Sequence, residues 1–392
     1  MKLLTVIGAR PQFIKAAAVS HVLQKRGIDE ILLHTGQHFD QRMSQVFFDE
    51  LKIPRPQYQL DIHSLSHGAM TGRMLEEIEK VLTEERPDAV LVYGDTNSTL
   101  AGALAAAKLH IPVAHVEAGL RSFNKKMPEE INRILTDRIS DLLFVSEDSG
   151  MRNLCAEGIP LQSTYFVGNT MIDSLREHEA KADASAVLRE YQLGKGGYVL
   201  LTLHRAANVD DRESFIEILE GLGELAESRR IIFPAHPRTQ KQIHELGLEP
   251  YFDGSGACGI RMIDPQGYLD FLCLMKYARL VVTDSGGVQE ETTALGVPCV
   301  TLRDNTERPA TIECGTNILG GTGRNTIQHA IRKQLVRRAS SSIPELWDGR
   351  AASRIVGILA ERLLQDSRLG AAPATAETVE LAVGSASVGG QI

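Results

Sequence analysis

The sequence predicts an α/β protein with two parallel β-sheets. Short aliphatic and β-branched runs alternate with glycine or polar turns and helical stretches, which is typical of parallel α/β units. This alternation pauses near residue 168 and restarts at Tyr198. The chain has 392 residues, and an ordinary domain size of about 150 residues gives two or three domains. We therefore expect two α/β domains.

The first domain is predicted over residues 1–168. Residues 3–7 form a strand, and a helix follows from residue 11 to about residue 25, because Pro11 is favoured in a first helical turn. An alanine-rich helix is expected over residues 98–109. The other predicted strands are residues 31–34, 89–93, 113–116, 142–145 and 164–167.

The second domain is predicted over residues 169–350. The turn at Gly168 and Asn169 and the charged segment 176–189 are interpreted as an inter-domain hinge and the entry to the second half. The predicted strands are residues 199–203, 231–233, 260–263, 280–283 and 299–302. A last helix is expected over residues 351–364, in a C-terminal segment bounded at residue 365. Residues 366–392 are predicted to be disordered, because they offer little apolar surface to bury.

Composition excludes several classes of protein. The chain has 42 Lys and Arg against 50 Asp and Glu, so a net charge of −8 argues against nucleic-acid binding through a broad basic face. No stretch reaches the roughly 18 uncharged apolar residues of a membrane helix. The 5 cysteines are scattered and form no C-x-x-C pair, so we expect neither a disulfide framework nor a thiolate zinc site, and a reducing cytoplasmic location.

Two α/β domains would bring the carboxyl ends of both sheets to one crevice, where ligands of open α/β sheets bind. The strongest local motif there is the turn Ser285-Gly286-Gly287 between a strand and a helix. It can be a plain turn, but its backbone N–H groups at a helix N-terminus also suit a diphosphate. Glu290 and Glu291 follow, where a carboxylate complements the helix dipole or accepts hydrogen bonds from a ribose.

Three acids lie where strand ends meet this crevice: Asp95, Glu117 and Glu129. A charged group after an apolar strand needs a partner or a function, because burying a lone charge is costly. Asp95 can also cap the next helix and Glu129 can complement a helix dipole. Glu117 begins no obvious helix, so catalysis is favoured for it.

Four basic residues complete the candidate set. Arg10 and Lys15 follow the first strand and suit contacts with phosphate or a departing anion, although both can be solvated surface charges. His204 and His236 each follow a strand of the second half, and two histidines at strand ends favour function over a structural role. The i,i+4 histidine pairs elsewhere lie outside helices, so no metal site is predicted.

Seven segments occur together in one order. They are Gly8–Pro11, Tyr93–Thr96, His115–Arg121, Met127–Arg133, Gly168–Thr170, Thr283–Glu291 and Leu302–Pro309. This ordered set resembles the non-hydrolysing UDP-N-acetylglucosamine (UDP-GlcNAc) 2-epimerase family over about residues 1–365. The resemblance implies two Rossmann-like domains facing a central cleft, as in glycosyltransferase-B-like proteins. It also implies no nicotinamide cofactor, commonly a homodimer, and a last helix that crosses back onto the first domain.

The resemblance also implies roles for individual residues. Arg10, Lys15, Asp95, Glu117, Glu129 and His204 match the functional cluster of the family. The other matches are Gln266 and Phe271 near the uracil, Ser285, Gly286 and Gly287 at the diphosphate, Glu291 at the ribose, and Arg308 on the nucleotide side. His236 is included among the substrate-binding residues.

Three departures from the family pattern stand out. Ala207 occupies a position where the family often has a glutamate. Gln37 and His38 align with the activator-binding region only through a gap, which weakens the case for a second, activating UDP-sugar. Residues 66–75 are similar to relatives that act on a 2,3-diacetamido-glucuronate sugar.

The reaction that the resemblance implies is inversion at C2 of a UDP-linked 2-acetamido sugar, from UDP-GlcNAc to UDP-N-acetylmannosamine (UDP-ManNAc). UDP is eliminated to a glycal and then added back, which needs proton transfer on two faces and no cofactor. The alternatives are the same chemistry on UDP-2,3-diacetamido-2,3-dideoxy-glucuronate, glycosyl transfer, hydrolytic epimerisation and a non-catalytic UDP-sugar sensor.

Overall fold

The computed structural model describes residues 1–37, 48–252, 254, 258–336 and 342–369. In this part of the chain the strands form two sheets, and all paired strands run parallel. One sheet comes from the first half of the sequence and the other from the second half. The predicted α/β fold with two parallel sheets is confirmed.

The first sheet has seven strands in the order β3-β2-β1-β4-β5-β6-β7. The strands are β1 (Lys2–Ile7), β2 (Asp29–His34), β3 (Tyr58–Gln59), β4 (Ala89–Tyr93), β5 (Val113–Ala118), β6 (Leu142–Val145) and β7 (Thr164–Phe166). The central strands β1, β4 and β5 are almost entirely buried, as expected for parallel strands covered on both faces. The carboxyl ends of these three strands lie side by side at one edge.

Helices flank this sheet. They are α1 (Arg10–Lys25), α2 (His67–Glu85), α3 (Asn97–Lys108), α4 (Pro128–Ile139) and α5 (Asp148–Ala156), with a 3-10 turn over Leu161–Ser163. The start of α1 is fixed by Gln12, whose side-chain oxygen accepts hydrogen bonds from the backbone N–H groups of Gly8 and Ala9 at 2.8 and 2.9 Å. Thr96 caps α3 by accepting a hydrogen bond from the Thr99 N–H. These caps hold the turns at the carboxyl edge of the sheet.

The second sheet has six strands in the order β10-β9-β8-β11-β12-β13. The strands are β8 (Tyr198–Thr202), β9 (Arg230–Pro234), β10 (Gly259–Ile263), β11 (Leu280–Thr283), β12 (Cys299–Thr301) and β13 (Asn317–Leu319). The helices that follow β7 are α6 (Thr170–Asp183), α7 (Val187–Glu190), α8 (Ala206–Val209), α9 (Arg212–Ser228), α10 (Pro237–Glu245), α11 (Tyr268–Lys276), α12 (Gly286–Leu295), α13 (Ala310–Glu313), α14 (Arg324–Val336) and α15 (Ala351–Leu369), with a 3-10 turn over Glu249–Phe252.

Two helices connect the halves. Helix α6 packs against α1 of the first half and against α11 and α12 of the second. The charged segment 176–189, predicted as a hinge, is largely helical, because it contains the end of α6 and most of α7. The first part of α6 buries Met171, Ile172 and Leu175. Helix α15 packs against α1 and α6, and it continues past the predicted end at residue 364 to Leu369. The rest of the predicted tail, residues 370–392, lies outside the described residues.

The sequence prediction missed β3 and β13. Each has only two or three residues, and both include polar side chains, so neither forms an apolar run that marks a strand. Both lie at an outer edge of their sheet, where a short strand needs only one partner. Among the described residues, no helix combines the length and the apolar character that crossing a membrane requires.

Candidate active site

Asp95 follows β4 and lies at the carboxyl edge of the first sheet. Its carboxylate is paired with the Arg133 guanidinium of α4, and its backbone carbonyl accepts a hydrogen bond from Asn132 at 3.0 Å. Burial acts to raise the Asp95 pKa, but the charges of Arg133, Lys15 and Arg308 outweigh it and lower the pKa. Asp95 is therefore ionised and held in place by α4.

Glu117 lies near the end of β5, where the register with β6 shifts. Its φ is +76°, a left-handed conformation that costs a side-chain-bearing residue about 1–3 kcal/mol. The side chain is buried between two cations: Lys15 of α1 forms an ion pair with it, and Arg308 Nη2 lies 3.2 Å from its Oε1. The strained backbone thus directs the Glu117 carboxylate into the space between the two sheets, against Lys15 and Arg308.

Arg308 is the cation on which three buried carboxylates converge. Besides Glu117, its Nε lies 2.9 Å from Glu290 of α12, and its Nη1 is paired with Glu307. Burial acts to lower the Arg308 pKa, yet the surrounding carboxylates raise it well above its usual value. Arg308 therefore links the charged residues of the first half to those of the second.

His204 follows β8 and is oriented by a buried acid. Its Nδ1 lies 2.9 Å from Asp284 Oδ1, while about half of the His204 side chain is exposed. Burial acts to raise the Asp284 pKa, but the charge of His204 and the hydrogen bonds from His204 and Arg205 bring the pKa down to about 2. Because Asp284 holds Nδ1, Nε2 is the His204 nitrogen that can face a substrate and transfer a proton.

Glu129 and Arg10 approach the second half from the first. Glu129 is exposed in the first turn of α4, and its charge acts on Arg205 of the second half. At the start of α1, Arg10 Nη2 lies 3.3 Å from His236 Nε2, and His236 also caps α10 through its Nδ1. The Arg10–His236 contact and the charge effect of Glu129 on Arg205 place residues of both halves across one cleft.

The predicted diphosphate turn begins α12. Ser285 precedes the first helical turn and its N–H donates to Thr283 Oγ1 at 3.0 Å. A Cβ atom at Gly286 would lie 2.5 Å from Arg308 Nη1, so this position accepts only glycine without moving Arg308. At Gly287 the nearest atom would be the mobile methyl group of Met171, at 3.2 Å. A helix N-terminus beside a buried arginine suits an anion.

The residues predicted around the nucleoside lie on α11 and α12. Glu291 is buried and accepts a hydrogen bond from the Tyr268 hydroxyl at 3.0 Å, and burial raises its pKa to about 8. Gln266 donates to the Asp264 carbonyl at 2.7 Å, just before α11. Phe271 lies one turn into α11 and is half-buried.

Comparison with known proteins identifies the family. The family profile described as UDP-N-acetylglucosamine 2-epimerase matches residues 21–360. The chain belongs to this epimerase family.

Individual epimerases are similar over nearly the whole chain. The UDP-2,3-diacetamido-2,3-dideoxy-D-glucuronate 2-epimerase of Pseudomonas aeruginosa is 48% identical, over 92% of this chain and 100% of the relative. The crystal structure of the UDP-GlcNAc 2-epimerase of Methanocaldococcus jannaschii, in complex with UDP-GlcNAc and UDP, has a TM-score of 0.87 at 47% identity, over 92% and 100% of the two chains. The Neisseria meningitidis enzyme bound to UDP-GlcNAc has a TM-score of 0.81 at 32% identity, over 92% and 100%.

Sequence reasoning left several charged partners in this epimerase-family chain unassigned. Arg133 pairs with Asp95 and Glu130, Asp284 orients His204, and Glu307 pairs with Arg308. The side chains left unassigned are buried, at 3% exposure or less; they are Glu130, Arg133, Asp284 and Glu307. All four lie inside the sequence segments that carry the family resemblance, and this position was the signal that could have identified them. Among the described residues, no three His, Cys, Asp or Glu side chains are grouped to hold a metal ion.

Proposed function

We propose that this protein inverts C2 of a UDP-linked 2-acetamido sugar and converts UDP-GlcNAc to UDP-ManNAc. The observation that carries the proposal is the gathering of Asp95, Glu117 and Arg308 between the two sheets, where Arg308 pairs with Glu117 and its charge acts on Asp95. A protein that only binds a UDP-sugar has no need for two carboxylates at this position. Membership of the 2-epimerase family supports the same chemistry.

The reaction proceeds in two halves. In the first, a base takes the proton from C2, the C1–O bond breaks with its electron pair passing to UDP, and a C1–C2 double bond forms. In the second, a proton reaches the opposite face of C2 and a UDP oxygen forms the new bond to C1. Positioned acids and bases each contribute about 10²–10⁴-fold to such steps.

These tasks are assigned to two groups of residues. Asp95, Glu117 and Glu129 are the carboxylates that handle the C2 proton, and His204 is the fourth group able to carry one. Arg10, Lys15, Arg308 and the Ser285–Gly287 turn stabilise UDP as it leaves and hold it for return. His236 supports Arg10, while Gln266, Phe271 and Glu291 contact the nucleoside.

A second candidate substrate is UDP-2,3-diacetamido-2,3-dideoxy-glucuronate. The 48% identity to the Pseudomonas aeruginosa epimerase named for this sugar favours it, as do residues 66–75. In the structure this segment begins α2 and contacts the cleft, since His67 Nδ1 lies 3.3 Å from the Asn97 side chain, which in turn is bonded to Asn132. The chemistry at C2 is the same for both sugars.

Each UDP-sugar is incubated alone with the protein in D₂O, and the products are followed by NMR. The proposal expects the C2 epimer with deuterium at C2, and the faster sugar is the substrate. Retained protium at C2 would overturn the elimination route. Free sugar plus UDP would indicate hydrolytic epimerisation. No conversion of either sugar would leave glycosyl transfer or a binding role.

A further inference from the structure

His115 is a buried histidine of β5, two residues before Glu117. Its Nδ1 lies 2.7 Å from Asp137 Oδ1, and its Nε2 lies 2.7 Å from the carbonyl oxygen of Gly94. A carbonyl oxygen only accepts hydrogen bonds, so Nε2 carries a proton. Burial acts to raise the Asp137 pKa, but the contacts with His115 and Arg121 lower it, and the Asp137 carboxylate is held against Nδ1 of the ring.

The second oxygen of Asp137 holds the turn at Gly119, after β5. Its Oδ2 accepts a hydrogen bond from the Gly119 N–H at 3.1 Å and from Arg121 Nη1 at 2.7 Å. Arg121 is held in turn by Glu157, through Nε and Nη2 at 2.7 Å each. Asp137, His115 and Arg121 are buried, whereas Glu157 is exposed and holds the Arg121 guanidinium from the surface.

Asp137 and His115 therefore hold both backbone turns that carry candidate catalytic acids. Gly94 immediately precedes Asp95, and Gly119 follows Glu117 by two residues. Both turns contain left-handed residues, with φ of +64° at Gly94, +76° at Glu117 and +82° at Gly119. Such conformations persist only where the surroundings fix them.

We propose that Asp137 and His115 form a positioning unit that sets the relative placement of the Asp95 and Glu117 carboxylates. The role of the unit in catalysis rests on the proposed function, whereas its control of the two turns does not. Neither residue is proposed to contact the substrate. The pair acts through the Gly94 carbonyl on one side and the Gly119 N–H on the other.

Two substitutions of His115 separate its contacts. An asparagine amide reaches about as far as Nδ1 and a glutamine amide about as far as Nε2. His115→Gln therefore keeps the donor to the Gly94 carbonyl, and His115→Asn keeps the donor to Asp137 while releasing Gly94. Ile78→Ala is the matched control, because Ile78 is a fully buried core residue of α2 outside this network. It should lower the melting temperature and leave kcat unchanged.

Activity and hydrogen exchange are then measured on all three variants. Since a misplacement of about 1 Å costs about 10²-fold, His115→Asn should lose about that much kcat, with KM nearly unchanged. His115→Gln should lose less kcat than His115→Asn, because it keeps the contact with Gly94 and loses only the contact with Asp137. By hydrogen–deuterium exchange, peptides covering residues 94–97 should exchange faster in His115→Asn than in His115→Gln or Ile78→Ala.

The outcomes separate the two hypotheses. Equal exchange at residues 94–97 in both His115 variants would overturn the positioning unit. A loss of kcat that is proportional to the drop in melting temperature across all variants would also overturn it, because that is the result of a purely structural role. If the wild-type protein converts neither UDP-sugar, the proposed function fails. The exchange measurement then still decides whether His115 controls the turn at Gly94.

Discussion

Arg308 donates from Nη2 to Glu117 Oε1 at 3.2 Å, and this contact joins the second half of the chain to the first inside the cleft. The same guanidinium is paired with Glu290 and Glu307. A diphosphate at the start of α12 would compete with these carboxylates for Arg308. If the proposed diphosphate binds there, its binding is coupled to the charge environment of Glu117 through one side chain.

Removing this cation should strongly destabilise the fold. Arg308→Leu leaves three buried carboxylates without their shared partner, and breaking a buried pair costs about 3–5 kcal/mol. Urea denaturation measures the change, and adding Glu290→Gln should recover part of the loss. Arg332→Leu is the control, since its pair with Glu224 is more than half exposed on both sides and contributes little. A similarly small loss of stability in Arg308→Leu and Arg332→Leu would contradict the central role of Arg308.

The three acids should be separable from nucleotide binding. Asp95→Asn, Glu117→Gln and Glu129→Gln keep size and remove the charge, so kcat should fall by about 10²-fold with UDP affinity nearly kept. Glu129→Gln is the cleanest of the three, because Glu129 is exposed and its loss should not affect folding. Glu79→Gln, an exposed acid of α2, is the control. Near wild-type turnover in all three variants would make these acids structural.

The edge on which the site lies could be predicted from the sequence. Parallel strands end at a common edge, so polar residues directly after apolar runs, such as Asp95 and His204, were expected to meet there. The preference of proline for a first helical turn likewise correctly placed Pro11 at the start of α1. Short apolar runs and helix signals thus predict which residues approach the cleft.

The partners of these residues could not be predicted. Arg133 reaches Asp95 across 38 positions, and Arg308 reaches Glu117 across 191, so no local spacing connects either pair. The sequence likewise did not distinguish Gly286 from Gly287 at the diphosphate turn, whereas steric space in the structure singles out Gly286. Such contacts depend on how the two sheets face each other, which local patterns do not encode.

Gly286 and Gly287 should therefore differ in their effect on UDP affinity. A methyl group at position 286 displaces Arg308 Nη1, and a lost hydrogen bond to a charged group is worth about 1.5–3 kcal/mol, or roughly 10- to 100-fold in Kd. Gly287→Ala displaces only the end of Met171 and should change the Kd little. Calorimetry with UDP compares them. Equal effects would show that the turn does not act through Arg308.

Glu147, at the start of α5, should make stability fall as pH rises. Its side chain is buried, one oxygen accepts a hydrogen bond from Ser149, and the other oxygen has no hydrogen-bond partner among the described residues. Burial, together with the charge of Glu290, raises its pKa from 4.5 to about 7. The folded state therefore prefers the protonated acid, so the penalty is absent below the unfolded pKa and grows as pH rises through 7.

Replacing this acid should stabilise the protein at high pH. By linkage, a shift of this size corresponds to about 3 kcal/mol, so Glu147→Gln should gain up to about that much at pH 8. The gain should shrink steadily as pH falls towards 5, where wild-type Glu147 is protonated in the folded state. Urea denaturation at both pH values measures it. Glu313→Gln is the control, because Glu313 is an exposed acid that lines the same surface pocket as Glu147. If Glu147→Gln stabilises the protein equally at both pH values, the destabilisation by Glu147 comes from its packing and not from its ionisation.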